Sequence, residues 1–226
     1  VWVGGLALPL GAIFLVRYSI EAGLLGPGVR LAFGALFSLA LLAGGEWLRR
    51  NELQRGLGVL PAASIPGVLT AAGTAGLFAT VYAAHGLYGF IGSGTAFFLL
   101  GAIGIGTLFA AALHGAWLSA LGLVGSYVTP FLVTSDQPNM PPLLAYLVAV
   151  TAAAYALARL RHWRWVAIAT SVAAILWGLF LTVVDALGPI EASLYMLTLF
   201  VLAAFFLVVD VHRDGAEAPA QAEGEA

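Results

Sequence analysis

Long apolar runs alternate with short polar breaks along almost the whole chain. Eight runs stand out: Val1–Val16, Val29–Leu48, Ser64–Ala84, Thr95–Leu113, Ala116–Thr134, Leu143–Ala158, Trp165–Val184 and Glu191–Val209. A helix that crosses a bilayer needs about 20 mostly apolar residues. The pattern therefore predicts an all-α chain, a polytopic transmembrane helix bundle of about eight spans. The breaks are short, as antiparallel helix pairs require. The tightest is His114-Gly115, where glycine suits a helix stop. Pro138, Pro141 and Pro142 mark another turn, and the last of these can open the sixth helix.

Within the runs, small and hydroxyl residues recur in a fixed frame. Leu69–Tyr82 aligns without gaps on Leu118–Phe131, sharing L-[TS]-A-x-G-x-x-G-x-[FY]-x-T-x-[YF] at an offset of 49 residues. The same offset brings Gly73 and Gly76 to Gly122 and Gly125, and then to Ser171 and Ala174. A period of this size marks repeated units. Two helices per unit would make the repeats parallel rather than inverted. Ala72, Gly76, Thr80 and Ala84 form a small-residue stripe on the third run. Gly34 and Ser38 on the second and Gly122, Ser126 and Pro130 on the fifth continue the theme. In lipid such residues let helix backbones approach closely. Packing positions are therefore expected at Gly34, Ala72, Gly73, Gly76, Thr80, Gly122, Gly125 and Ser126. Thr70, Thr74, Thr80 and Ser126 can bond back to carbonyls of their own helices.

Composition agrees with lipid as solvent. The chain is 62% hydrophobic and 9% charged, with a mean hydropathy of +1.00; a soluble domain is about 25% charged. The net charge of −2 offers no basic field for nucleic acid. Cysteine is absent, which excludes disulfides and thiolate chemistry. Lysine is absent too, and the arginines alternate by side. Arg49, Arg50, Arg55, Arg159, Arg161, Arg164 and Arg213 fall on one side, Arg17 and Arg30 on the other. The positive-inside rule then predicts an integral membrane protein with both ends cytoplasmic. Trp2, Trp47, Trp163 and Trp165 fall near the expected interfaces. The chain opens at Val1 within an apolar run, with no signal peptide legible, and reads as part of a longer protein. Residues 210–226, rich in Ala, Glu, Pro and Gly, are expected to be a disordered acidic tail or linker.

Candidate chemistry is sparse. Ionisable groups deep in a span mark ion and proton paths, and the runs hold essentially none, which disfavours a proton- or sodium-coupled transporter. Glu46 stands three and four residues before Arg49 and Arg50, the spacing of a helical ion pair. The side with few arginines gathers Arg17, Glu21, Arg30, His85, Tyr88 and Asp136 as a candidate outer polar cluster. Arginine there can anchor a helix or bind an anionic headgroup or carboxylate. No histidine spacing fits a metal, no G-x-S-x-G occurs, and Gly101-x-x-Gly104-x-Gly106 lies inside a span rather than after a strand. No catalytic residue, metal or cofactor is expected.

Three passages carry a resemblance: GGLALPLGAIFLVRYSIEAGLLGPGVRLAFGALFSLALLAGGEWLRR, TAAGTAGLFATVYAAHGLYGF and LGLVGSYVTPFLV. Together they resemble the bacterial predicted membrane proteins classed as domain of unknown function 2339. The resemblance spans roughly residues 1–185 and is sharpest in RYSIE-x-GLLGPGVR and ATVYAAHGLY. It implies a long multi-pass protein of the bacterial cytoplasmic (inner) membrane and supplies no catalytic residue. Three functions stay open. One is transport or lipid and envelope handling at an outward polar site. Another is a membrane scaffold with a homo-oligomer or membrane partner. The third is a membrane-embedded enzyme. The partner common to all three is the lipid bilayer.

Overall fold

The structure, a computed structural model, describes residues 26–55, 65–133 and 140–222. Among these it is wholly helical: α1 (Pro27–Arg55), α2 (Ile65–Tyr82), α3 (Ser93–His114), α4 (Ala116–Leu132), α5 (Met140–Arg161), α6 (Arg164–Val183) and α7 (Pro189–Ala222). Each helix lies on one of the apolar runs, and the first run, Val1–Val16, falls outside the described residues. Six of the helices are long and apolar enough to cross a membrane, while α4 has 17 residues and is shorter. The count of about eight spans is thus slightly more than the six found among the described residues. Helix α7 continues to Ala222, past Asp210, where composition predicts the end of order. Ala and Glu in that stretch are strong helix formers.

The helix ends follow local chemistry. Gly115 separates α3 from α4 at φ 110°, a conformation that glycine enters without a Cβ penalty, and its N–H bonds Ala111 O. Pro141 and Pro142 sit in the first turn of α5, where a missing N–H costs nothing. The α5 and α6 ends close by another route. Trp163 N–H reaches Ala158 O and His162 N–H reaches Arg159 O, with His162 left-handed at φ 54°. Ala186 to Leu181, Asp185 to Thr182 and Asp185 at φ 56° repeat the motif. Both are Schellman closures built on a residue other than glycine.

The chain divides into two compact units. Val1–Ser135 contains α1 to α4 and Asp136–Ala226 contains α5 to α7. In the first unit α1 packs on α2, α3 on α4, and α2 against both α3 and α4. In the second, the three helices all touch one another. The strongest helix pairs are therefore α1/α2, α3/α4 and α5/α6, out of phase with a 49-residue unit that starts at α2.

Small hydroxyl residues share the apolar core with Leu100, Leu108 and Leu147, while many large apolar side chains stay exposed. Ser126 and Thr129 are 0% exposed, while Trp117 is 84% and Phe98 is 74% exposed. Five buried threonines satisfy themselves, since Thr70, Thr107, Thr129, Thr151 and Thr170 each donate to the carbonyl four residues earlier. Large apolar side chains left outside, with hydroxyls buried at helix contacts, suit a surround of hydrocarbon, where backbone proximity rather than water exclusion holds helices together.

Candidate functional site

The first helix pair defines a register that locates the polar groups. A Cβ added at Gly34 would meet Thr80 Oγ1 at 3.0 Å, and one at Gly76 would meet Ser38 Oγ. A Cβ at Gly73 would meet Ser38 O at 2.7 Å, and one at Gly45 would meet Thr70 Oγ1 at 2.6 Å. The two backbones thus run against each other from Gly34 to Gly45. Ala72 lies off this seam and is exposed, because Gly73 takes the position facing α1. In the second pair Gly104 faces Ser126, and Gly122 faces Leu108 N at 3.0 Å. Gly125 instead receives the Phe78 ring of α2.

One turn before Gly34 stands Arg30, level with Ala84 in this register. Its N–H bonds Gly26 O. Its Nε is buried and has no hydrogen-bond partner among the described residues. Across from it α2 widens into a turn of π-helix, Ala83–Leu87, which carries His85. His85 Nδ1 lies 3.0 Å from Ile91 O, so that nitrogen donates. Tyr88 stacks on Phe90 at 5.8 Å. The Phe90 ring also lies 3.7 Å from the Cβ position of Gly28, closing α1 onto the segment before α3. Arg30, His85 and Tyr88 therefore share one end of the unit, and among the described residues no hydrogen bond or ion pair joins them. Arg17, Glu21 and Asp136 lie outside the described residues.

The opposite end gathers the other charges. Arg49 grips Glu46 with both Nε (2.9 Å to Oε2) and Nη2 (2.7 Å to Oε1), and Arg50 Nε adds 2.7 Å to Oε1. His114, the last residue of α3, reaches the same carboxylate, with Nε2 3.6 Å from Oε2. Sequence spacing shows the Glu46–Arg49–Arg50 part but not His114, which is far away along the chain. The one usable signal was that the arginine pattern puts both on one side.

The second unit has a groove of about 320 Å³ between Met140–Val148 of α5 and Glu191–Thr198 of α7. Its walls are mainly apolar, and Glu191 Oε2 accepts from Gly188 N–H at 3.2 Å, closing the start of α7. Among the described residues no group of three His, Asp or Glu side chains is placed to hold a metal.

Large exposed apolar side chains, six apolar helices of spanning length and a sparse charge set describe a membrane protein without naming its kind. The family model described as predicted membrane protein (DUF2339) matches residues 1–218. The chain belongs to the DUF2339 family. It is therefore an integral, multi-pass membrane protein, in agreement with the resemblance carried by its first, second, third and fifth apolar runs. No curated protein and no solved structure matches it. The DUF2339 description carries location and no chemistry, so any activity has to be argued from the site.

Proposed function

We propose that this DUF2339 chain handles an anionic ligand of the lipid or envelope class at the Arg30 end of its first helix pair. The arginine distribution supports placing that end outside a bacterial inner membrane. The carrying observation is the buried Nε of Arg30, which has no hydrogen-bond partner among the described residues. A guanidinium withdrawn from water is costly unless an anion or acceptor meets it. Its planar fork suits a phosphate or carboxylate. The π-helical turn opposite fits this reading, since such turns recur at functional sites. The ligand would enter beside His85 and Tyr88.

The test uses the full chain in nanodiscs that contain phosphatidylglycerol. Retention of the anionic lipid is read by native mass spectrometry, and lipid distribution is followed in vesicles and cells. Arg30→Ala should lower retention about tenfold, the value of one charge-assisted contact, and Arg30→Lys should recover part of it. Unchanged retention, lipid distribution and envelope phenotype would reject the reading.

A scaffold is the second reading. It draws on α1 and α7, whose apolar windows are each only 11% buried and so leave broad faces for a neighbour. A monodisperse monomer without a membrane partner would remove it.

A further inference from the structure

The contact between His114 and Glu46 has a feature that ordinary packing does not explain. The His114 side chain is only 5% exposed. Its Nδ1 lies 3.1 Å from Ala110 O, a backbone carbonyl that can only accept, so the Nδ1 proton is assigned by its partner. In the neutral ring the other nitrogen, Nε2, then carries a lone pair. That lone pair is buried, has no hydrogen-bond partner among the described residues, and lies 3.6 Å from the carboxylate oxygen Glu46 Oε2. Two acceptors facing each other repel. One proton on Nε2 turns the same geometry into an imidazolium–carboxylate pair, with the cation also at the C-terminal end of α3, where the helix dipole favours it.

We propose that His114 and Glu46 form a proton-binding site whose occupancy clasps the end of α3 to α1. Among the described residues, the charged groups that face it are on α1. Arg49 and Arg50 oppose the added positive charge, but both are spent on Glu46. Glu52 and Arg55 follow later in α1. The rest of α3 has no ionisable residue. Tyr82 is the only one on α2 and Tyr127 the only one on α4, and the connection 56–64 has none. The clasp and the proton are linked, so whatever closes the gap favours proton binding and the reverse. Because α1 and α3 belong to different helix pairs, the proton reports on how the pairs stand against each other within the first unit.

The experiment is a histidine titration by NMR on the full chain in nanodiscs, with ¹⁵N-labelled imidazoles and the His114 signal assigned by its loss in His114→Gln. The doubly protonated His114 ring should be detected within the pH range over which the chain stays folded. Glu46→Gln should weaken proton binding about tenfold, one pH unit in the midpoint. Arg50→Gln removes an exposed cation that holds Oε1 and should strengthen binding several-fold, so the two variants move the midpoint in opposite directions. The pH dependence of thermal unfolding should shrink in His114→Gln, which keeps a hydrogen-bonding side chain but binds no proton. A ring that stays singly protonated throughout that range overturns the proposal. So does a titration that is the same in the native chain and Arg50→Gln, whether or not Glu46→Gln folds.

Discussion

Gly73 and Gly76 in the first unit and Ser171 and Ala174 in the second hold equivalent places in the 49-residue frame, yet each unit uses them differently. In the first, the added Cβ at either glycine would strike α1 itself: Ser38 O and Leu42 N at 2.7 and 3.0 Å for Gly73, and Ser38 Oγ for Gly76. The two helices touch backbone to backbone. In the second, tyrosines fill the space. Tyr155 OH and Ser171 Oγ are 2.8 Å apart, and Tyr195 OH donates to Ala174 O at 3.2 Å. Gly178, which continues the Thr80 and Thr129 position, faces Met196 and the Tyr195 ring rather than a main chain. The lesson is that a repeat can conserve which positions face a neighbour while the neighbour decides how large they are. A helix that offers backbone demands glycine. One that offers a tyrosine accepts serine or alanine and gains a hydrogen bond.

Substitutions can break this comparison, and all are read as unfolding free energies of the full chain in bicelles. The largest effect is expected for Gly73→Ala. Its methyl group meets main-chain atoms that cannot step aside, and overpacking of this kind costs about 2–3 kcal/mol. Gly178→Ala should cost less, about 1 kcal/mol, because the end of Met196 can swing away. Equal losses at the two sites would show that the units pack alike. Tyr195→Phe removes one hydrogen bond to Ala174 O and should cost about 0.6 kcal/mol, the average for such bonds in membranes. A loss above about 2 kcal/mol would mean that the hydroxyl, rather than the ring, holds α7. The smallest effect belongs to Gly106→Ala on α3, whose Cβ meets open space. A change within about 0.5 kcal/mol, with a stabilising sign, is expected there.

The two ends of the first unit differ in a related way. Glu46 is held by two arginines of its own helix, whereas Arg30 has a buried nitrogen without a partner among the described residues. Local spacing made the first legible, since residues three and four apart share a helix face. The candidate cluster at the other end was legible only as a side of the membrane. Of its members the structure brings Arg30, His85 and Tyr88 to one end. It also adds a π-helical turn for which ATVYAAHGLY offers no spacing signal.

Hydropathy alone determined that this chain is a multi-pass helical protein in lipid, because about 20 apolar residues cross a bilayer whatever they later touch. Single residues determined several helix ends, Gly115 among them, because their backbone chemistry acts within one turn. Tertiary structure decided which small residues face a neighbour. Ala72 and Gly73 look alike in sequence, and only the approach of α1 separates them. It also decided that His114 meets Glu46, a contact between helices in different pairs that no periodicity encodes. Local rules reach about one helical turn, and those two outcomes depend on how whole helices lie against each other.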